Sequence, residues 1–127
     1  GYVQMQFASM PLLVGHVQAG KLRLIAQTGA KRAVSAKDVP TMVESGLPGF
    51  VVQSLFGFVG PAGMPRPIVD KLNGALAAAI RDPQNNKILV ERGAEPIGST
   101  PEEHAAAIKS EIEKWRKVAK EAGIEPQ

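Results

Sequence analysis

Cysteine is absent from the 127-residue chain. That excludes disulfides, thiolate metal sites and cysteine nucleophiles. Aromatic residues are scarce, at 5%, and charge is nearly balanced, with 15 basic and 12 acidic residues giving +3. The basic residues are scattered, with Lys31-Arg32 and the cluster Lys114, Arg116, Lys117 and Lys120 as local groupings. Nucleic-acid binding requires a concentrated basic face with stacking rings, so no nucleic-acid partner is expected. Long hydrophobic runs are also lacking. The longest, Phe50 to Val59, is interrupted by Gln53, Ser54 and Gly57 and falls well short of the roughly 20 apolar residues of a membrane span. The start, Gly1-Tyr-Val-Gln, has neither the basic nor the apolar segment of an export signal.

Enzyme signatures are missing in the same way. The two histidines, His16 and His104, have no carboxylate at ligand spacing and read as surface helix residues. None of Ser9, Ser35, Ser45, Ser54, Ser99 and Ser110 sits in a Gly-x-Ser-x-Gly elbow. Gly57, Gly60 and Gly63 are spaced three apart ahead of prolines, a turn pattern rather than a dinucleotide fingerprint. The pair Glu102-Glu103 opens a helix, where carboxylates favour the positive end of the dipole. No catalytic set, cofactor or metal is expected. No enzymatic activity is expected.

What is present suits an ordinary globular chain, 44% hydrophobic and 21% charged, long enough for a core of its own. Tyr2 to Phe7 alternates apolar and polar residues and predicts a strand. Ser9 and Pro11 then open a helix that runs to about Ala19 and stops at Gly20. Leu22 to Gln27 predicts a second strand, giving a strand–helix–strand unit with a right-handed crossover. Thr28 to Lys37 reads as a polar loop. Pro65 and Pro67 open a helix with Ile68, Leu72, Leu76 and Ile80 at helical spacing. Asp82-Pro83 starts a short helix closed by Gly93, and Glu95 to Gly98 suits a short edge strand. Thr100-Pro101-Glu102-Glu103 is the strongest capping sequence of the chain. Its helix places Ile108, Ile112, Trp115, Ala119 and Ala122 on one face, with Glu113 and Lys117 as a charge pair on the other side.

Everything else is arranged around Asp38 to Gly63. Thr41 and Glu44 fit a capping box, and Gly46 follows where a left-handed helix stop is needed. The product is one helical turn held between Pro40 and Pro48. Phe50 to Val59 comes next, rich in β-branched and aromatic residues, and predicts a strand buried on both faces. The fold class is therefore α/β, a sheet flanked by helices.

Asp38-Val-Pro-Thr, Glu44-Ser-Gly-Leu-Pro-Gly and Gly57-Phe-Val-Gly-Pro-Ala-Gly-Met-Pro-Arg-Pro together carry a resemblance. They are joined by His16-Val-Gln-Ala-Gly-Lys-Leu-Arg, Thr28-Gly-Ala-Lys-Arg, Gly93-Ala-Glu-Pro-Ile-Gly and Thr100-Pro-Glu-Glu. In this order the chain resembles the substrate receptors of tripartite tricarboxylate transporters, the TctC-like or Bug-type extracytoplasmic solute receptors. The resemblance spans nearly the whole chain and matches the C-terminal part of the longer family members. It implies a type II periplasmic-binding-protein fold with two α/β lobes around a cleft. It places 1–54 in part of the second lobe, and 55–127 in a crossover strand and C-terminal helices that return to the first. It also implies a periplasmic location, a small carboxylate ligand and the membrane components of a secondary transporter as partners. Helix faces without their natural cover would favour self-association. The alternatives are the effector-binding domain of a LysR-type regulator and an interaction or oligomerisation module.

The candidate ligand-binding residues are Phe7, Ala8 and Ser9. A strand end feeding a helix start presents free amides and the positive dipole, which suit a carboxylate. The resemblance implies that loop and helix-start amides hold the ligand, but the position of Ala8 is commonly acidic in the family. The alternative reading is an ordinary helix cap. Lys31 and Arg32 either counter an acidic ligand or stay solvated, and Leu55-Phe56-Gly57 is a candidate hinge because Gly57 tolerates dihedral change.

Overall fold

In the computed structural model, which describes residues 2–124, four α-helices form: α1 (Met10–Gln18), α2 (Arg66–Arg81), α3 (Pro83–Glu91) and α4 (Pro101–Glu121). A 3₁₀ turn, Val34–Ala36, interrupts the loop expected over Thr28 to Lys37. The chain divides into two compact units, Gly1–Ser54 with Ile80–Ile97 and Leu55–Ala79 with Gly98–Gln127.

The helices form where local chemistry fixes their ends. Asp82 caps α3 by accepting from the Gln84 and Asn85 amides, at 3.1 and 3.0 Å. Thr100 and Glu103 make the reciprocal capping box of α4, at 3.2 and 2.8 Å. Thr41 and Glu44 make another at 3.1 and 2.7 Å, which holds the single turn before Gly46. C-terminal ends repeat one solution. At Gly20, Gly46, Gly93 and Gly123, φ is positive, between 67 and 94°. Each glycine amide and the one after it reach back to carbonyls three and five residues earlier, as in Gly93 to Val90 and Ala94 to Leu89. This is the Schellman arrangement, and glycine adopts it without a Cβ penalty.

The strands come out differently. Leu22 to Gln27 and Thr41 share one isolated parallel bridge, in which the Gln27 N–H donates to Pro40 at 2.9 Å and its carbonyl accepts from Met42 at 2.8 Å. Beside it, Thr28 accepts the Val52 amide at 2.9 Å and its hydroxyl donates to the Val52 carbonyl at 2.6 Å. Three extended segments are thus aligned by a few bonds without forming a ladder. Tyr2 to Phe7 and Glu95 to Gly98 make no strand either. Phe50 to Val59, expected to be buried on both faces, is extended and open: Phe56, Phe58 and Val59 are 77, 75 and 85% exposed. Hydrophobic content marks a segment that favours cover. Pairing and burial need facing elements, and among the described residues these segments have too few.

Gln27 organises the first unit. Its side-chain amide donates to the Ala36 and Val39 carbonyls at 2.8 and 2.6 Å and accepts from the Ala33 amide at 2.8 Å. One half-buried side chain therefore satisfies three backbone groups of a loop that would otherwise leave them unpaired. The adjoining Thr41 is 2% exposed. In the second unit, Asn73 on α2 donates to the Ser99 carbonyl at 2.9 Å, and Arg66 bridges Asp70 and Glu102 at 2.7 and 2.5 Å. Those ion pairs are exposed and screened by solvent, so they contribute little to stability. Ala77 of α2, 7% exposed, is the buried apolar residue here. On α4, Lys117 lies 3.9 Å from Glu121, one turn on from the expected Glu113. Lys114 and the Trp115 indole both engage Glu111.

Gln27→Ala should lower the unfolding free energy by about 1–3 kcal/mol, the cost of leaving half-buried backbone groups unpaired. Gln27→Glu should cost more, because it sets carboxylate oxygens against two carbonyls. Urea unfolding checks both, and an unchanged midpoint would show that the loop is held some other way.

Candidate functional site

The start of α1 lies in the first unit. Ser9 occupies the N-cap position with extended backbone, φ −70° and ψ 135°, but its side chain makes no capping bond. Its hydroxyl instead donates to the Ser54 hydroxyl at 3.3 Å. Phe7 stacks on Phe50, with ring centroids 6.4 Å apart and planes 28° from parallel. The structure therefore brings the expected trio, Phe7, Ala8 and Ser9, together with Phe50 and Ser54 from the central stretch. Neither companion is expected from the residues around the α1 start.

The amides here are open. Pro11 has no N–H, and the Leu12 N–H is taken by the Ser9 carbonyl at 3.0 Å. Among the described residues, no acceptor takes the N–H of Phe7, Ala8, Ser9 or Met10. Four successive donors at a helix start, with no acidic residue in the first turn, make a locally positive edge. Phe7 remains 68% exposed, so the edge is accessible. This arrangement accepts hydrogen-bonding oxygen atoms of an anion. Its side-chain polar groups are the Ser9 and Ser54 hydroxyls.

The cation considered for the same purpose is engaged elsewhere. Arg32 Nε donates to both carboxylate oxygens of Glu44, at 3.1 and 2.9 Å, and its Nη1 donates to the Lys37 carbonyl at 3.0 Å. Glu44 is held below its ordinary carboxylate pKa, first by the Arg32 hydrogen bond and then by the Thr41 amide. His16 and His104 fall in different units, and no group of three or more metal-ligating side chains occurs among the described residues. No described helix is long and apolar enough to cross a membrane. A shallow hollow of about 230 Å³ opens between the 3₁₀ turn and α3, lined by Val34, Ser35, Asn86, Val90 and Glu95 among others. None of Phe7, Ala8 and Ser9 contributes to it, and it offers less convergent donor chemistry than the α1 start.

Comparison with known proteins fits this geometry into a family. Residues 1–124 match the family model described as the tripartite tricarboxylate transporter family receptor. The chain belongs to that family. It is similar to the protein BugT of Bordetella pertussis, with 31% identity over 97% of the chain and 38% of BugT. A Pseudomonas protein from the tcbD–tcbE intergenic region is 34% identical over 93% of the chain and 35% of that relative. Among solved structures, Rpa4515 of R. palustris with adipate superposes with a TM-score of 0.84 at 38% identity, covering 93% of this chain and 40% of Rpa4515. The periplasmic binding protein BugD gives 0.81 at 36% identity, covering 91% and 39%. The chain thus spans about two fifths of the length of these receptors and has the fold of that part of a periplasmic binding protein. The α/β class and its type II relationship hold at that level, although few of the strand pairings form within these residues.

Because the Glu44 pKa is depressed in the folded chain, its contribution to stability is present above the ordinary carboxylate value of 4.5 and is lost as pH falls through the folded value. The melting temperature should therefore drop on acidification below about pH 4.5, and more steeply for the native chain than for Glu44→Gln. Parallel slopes would show that the Arg32–Glu44 contact is not what acid disrupts.

Proposed function

We propose that this chain is part of an extracytoplasmic solute receptor that binds a small organic carboxylate and presents it to the membrane components of a tripartite tricarboxylate-type transporter. The observation that carries the reading is the run of open amides from Phe7 to Met10 at the start of α1. Family membership supports it, and a similar receptor has been solved with adipate. Phe7, Ala8 and Ser9 are the ligand-binding residues of this reading, with Phe50 and Ser54 beside them. Residues 1–54 belong to the second lobe of the receptor, and 55–127 form the crossover and returning helices. The location is periplasmic, as the BugD description states for that relative. Binding is a non-covalent step coupled to closure around the ligand, with no enzymatic chemistry. Family membership favours this over the effector domain of a LysR-type regulator.

Thermal shift with adipate and with mono- and dicarboxylates of neighbouring length tests the reading, on this chain and on the full-length product of its gene. Saturating ligand should stabilise the binding form by about 2.7 kcal/mol at a hundredfold excess over Kd. Ser9→Pro, which fits the observed φ of −70° and removes one open amide, should weaken binding by about 1 kcal/mol, roughly fivefold. If neither protein responds to any carboxylate, the receptor reading fails.

The exposed apolar run Phe56, Phe58 and Val59, with Ile112, Trp115 and Val118 exposed on α4, favours a second reading in which the chain associates with itself. Sedimentation over a wide concentration range should then show mass growing with concentration, and Phe58→Lys should return it to monomer. A concentration-independent monomer would remove this reading.

A further inference from the structure

Four helical segments end on glycine in the same left-handed conformation, but their surroundings differ. At Gly20, Gly46 and Gly123, a side chain would meet nothing within 4 Å. At Gly93, with φ +82°, a Cβ would lie 2.3 Å from Met10 Cγ, 2.9 Å from Met10 Cβ and 3.5 Å from the Met10 carbonyl carbon. The Cγ can swing aside. The Cβ is fixed to the backbone, so relieving that contact moves either the first turn of α1 or the end of α3. A glycine needed only for helix termination would not require this contact, as the other three show.

We propose that Gly93 is a positioning residue for the α1 start. Its missing side chain sets how closely the end of α3 approaches Met10, and thereby where the open Ser9 and Met10 amides point. The consequence for ligand binding rests on the carboxylate-receptor reading, whereas the positioning itself does not. Met10 directly follows the Phe7–Ser9 trio, and its own N–H belongs to the open run. The same Gly93 also keeps the Schellman bonds to Leu89 and Val90, so termination of α3 and placement of α1 are combined in one residue.

Asparagine separates the two roles, because it tolerates the left-handed conformation but adds a Cβ. Gly20→Asn is the built-in control, since its surroundings are empty. Amide resonances of Ser9, Met10 and Leu12 are followed by ¹H–¹⁵N NMR, together with melting temperature and the affinity for adipate as probe. Gly93→Asn should displace the Ser9 and Met10 resonances and weaken adipate binding roughly tenfold. Gly20→Asn should leave both unchanged. Adding Met10→Gly to Gly93→Asn should return the Ser9 and Leu12 resonances toward their native positions. If Gly93→Asn fails to fold, regained folding in the double variant supports the inference, and continued unfolding overturns it. Unmoved Ser9 and Met10 resonances in folded Gly93→Asn would also overturn it. Displacement with rescue, but no adipate binding even by the native chain, would keep the positioning and discard the ligand reading.

Discussion

The first unit depends on one amide side chain. Gln27 takes one amide and two carbonyls from the loop between Ala33 and Val39, while its backbone brackets Pro40 and Met42. A polar loop can be held this firmly because each backbone group would be costly to bury alone. With the loop fixed, Thr41 sits buried at the parallel bridge and the Thr41–Glu44 turn is oriented. Arg32 is then close enough to Glu44 to bind it. Thr28, the next residue, holds Val52, so the segment carrying Phe50 and Ser54 is placed by the same short stretch.

This chain of dependence reaches the candidate site. The α1 start is open because its own sequence leaves it so: Pro11 lacks a donor and Ser9 directs its hydroxyl away from the helix. It is walled because Phe50 stacks on Phe7 and Ser54 meets Ser9. Local sequence supplies the donors, and distant sequence supplies the walls.

How much of this was legible in the sequence follows from the range of each interaction. Helix ends were readable because caps and Schellman glycines act within a few residues; Thr100, Asp82, Gly93 and Gly123 all stand where their chemistry predicts. The position of the α1 start was readable from Pro11, although the Ser9 side chain makes no capping bond. Strands were not, because a ladder depends on a partner elsewhere in the chain, and the apolar content of Phe50 to Val59 reports only a preference for cover. The walls of the site were hidden too, since Ser9 and Ser54 are 45 residues apart. Gln27 looked like the polar end of a strand, and nothing in its neighbourhood marks it as the anchor of a loop.

The order in which the chain visits its two units has a mechanical consequence. It passes from one to the other after Ser54, after Ala79 and again after Ile97, and the second passage lies inside the continuous helix α2. Neither unit is therefore a contiguous piece that gene fusion could move intact, and one proteolytic nick at any junction leaves two covalent links between them.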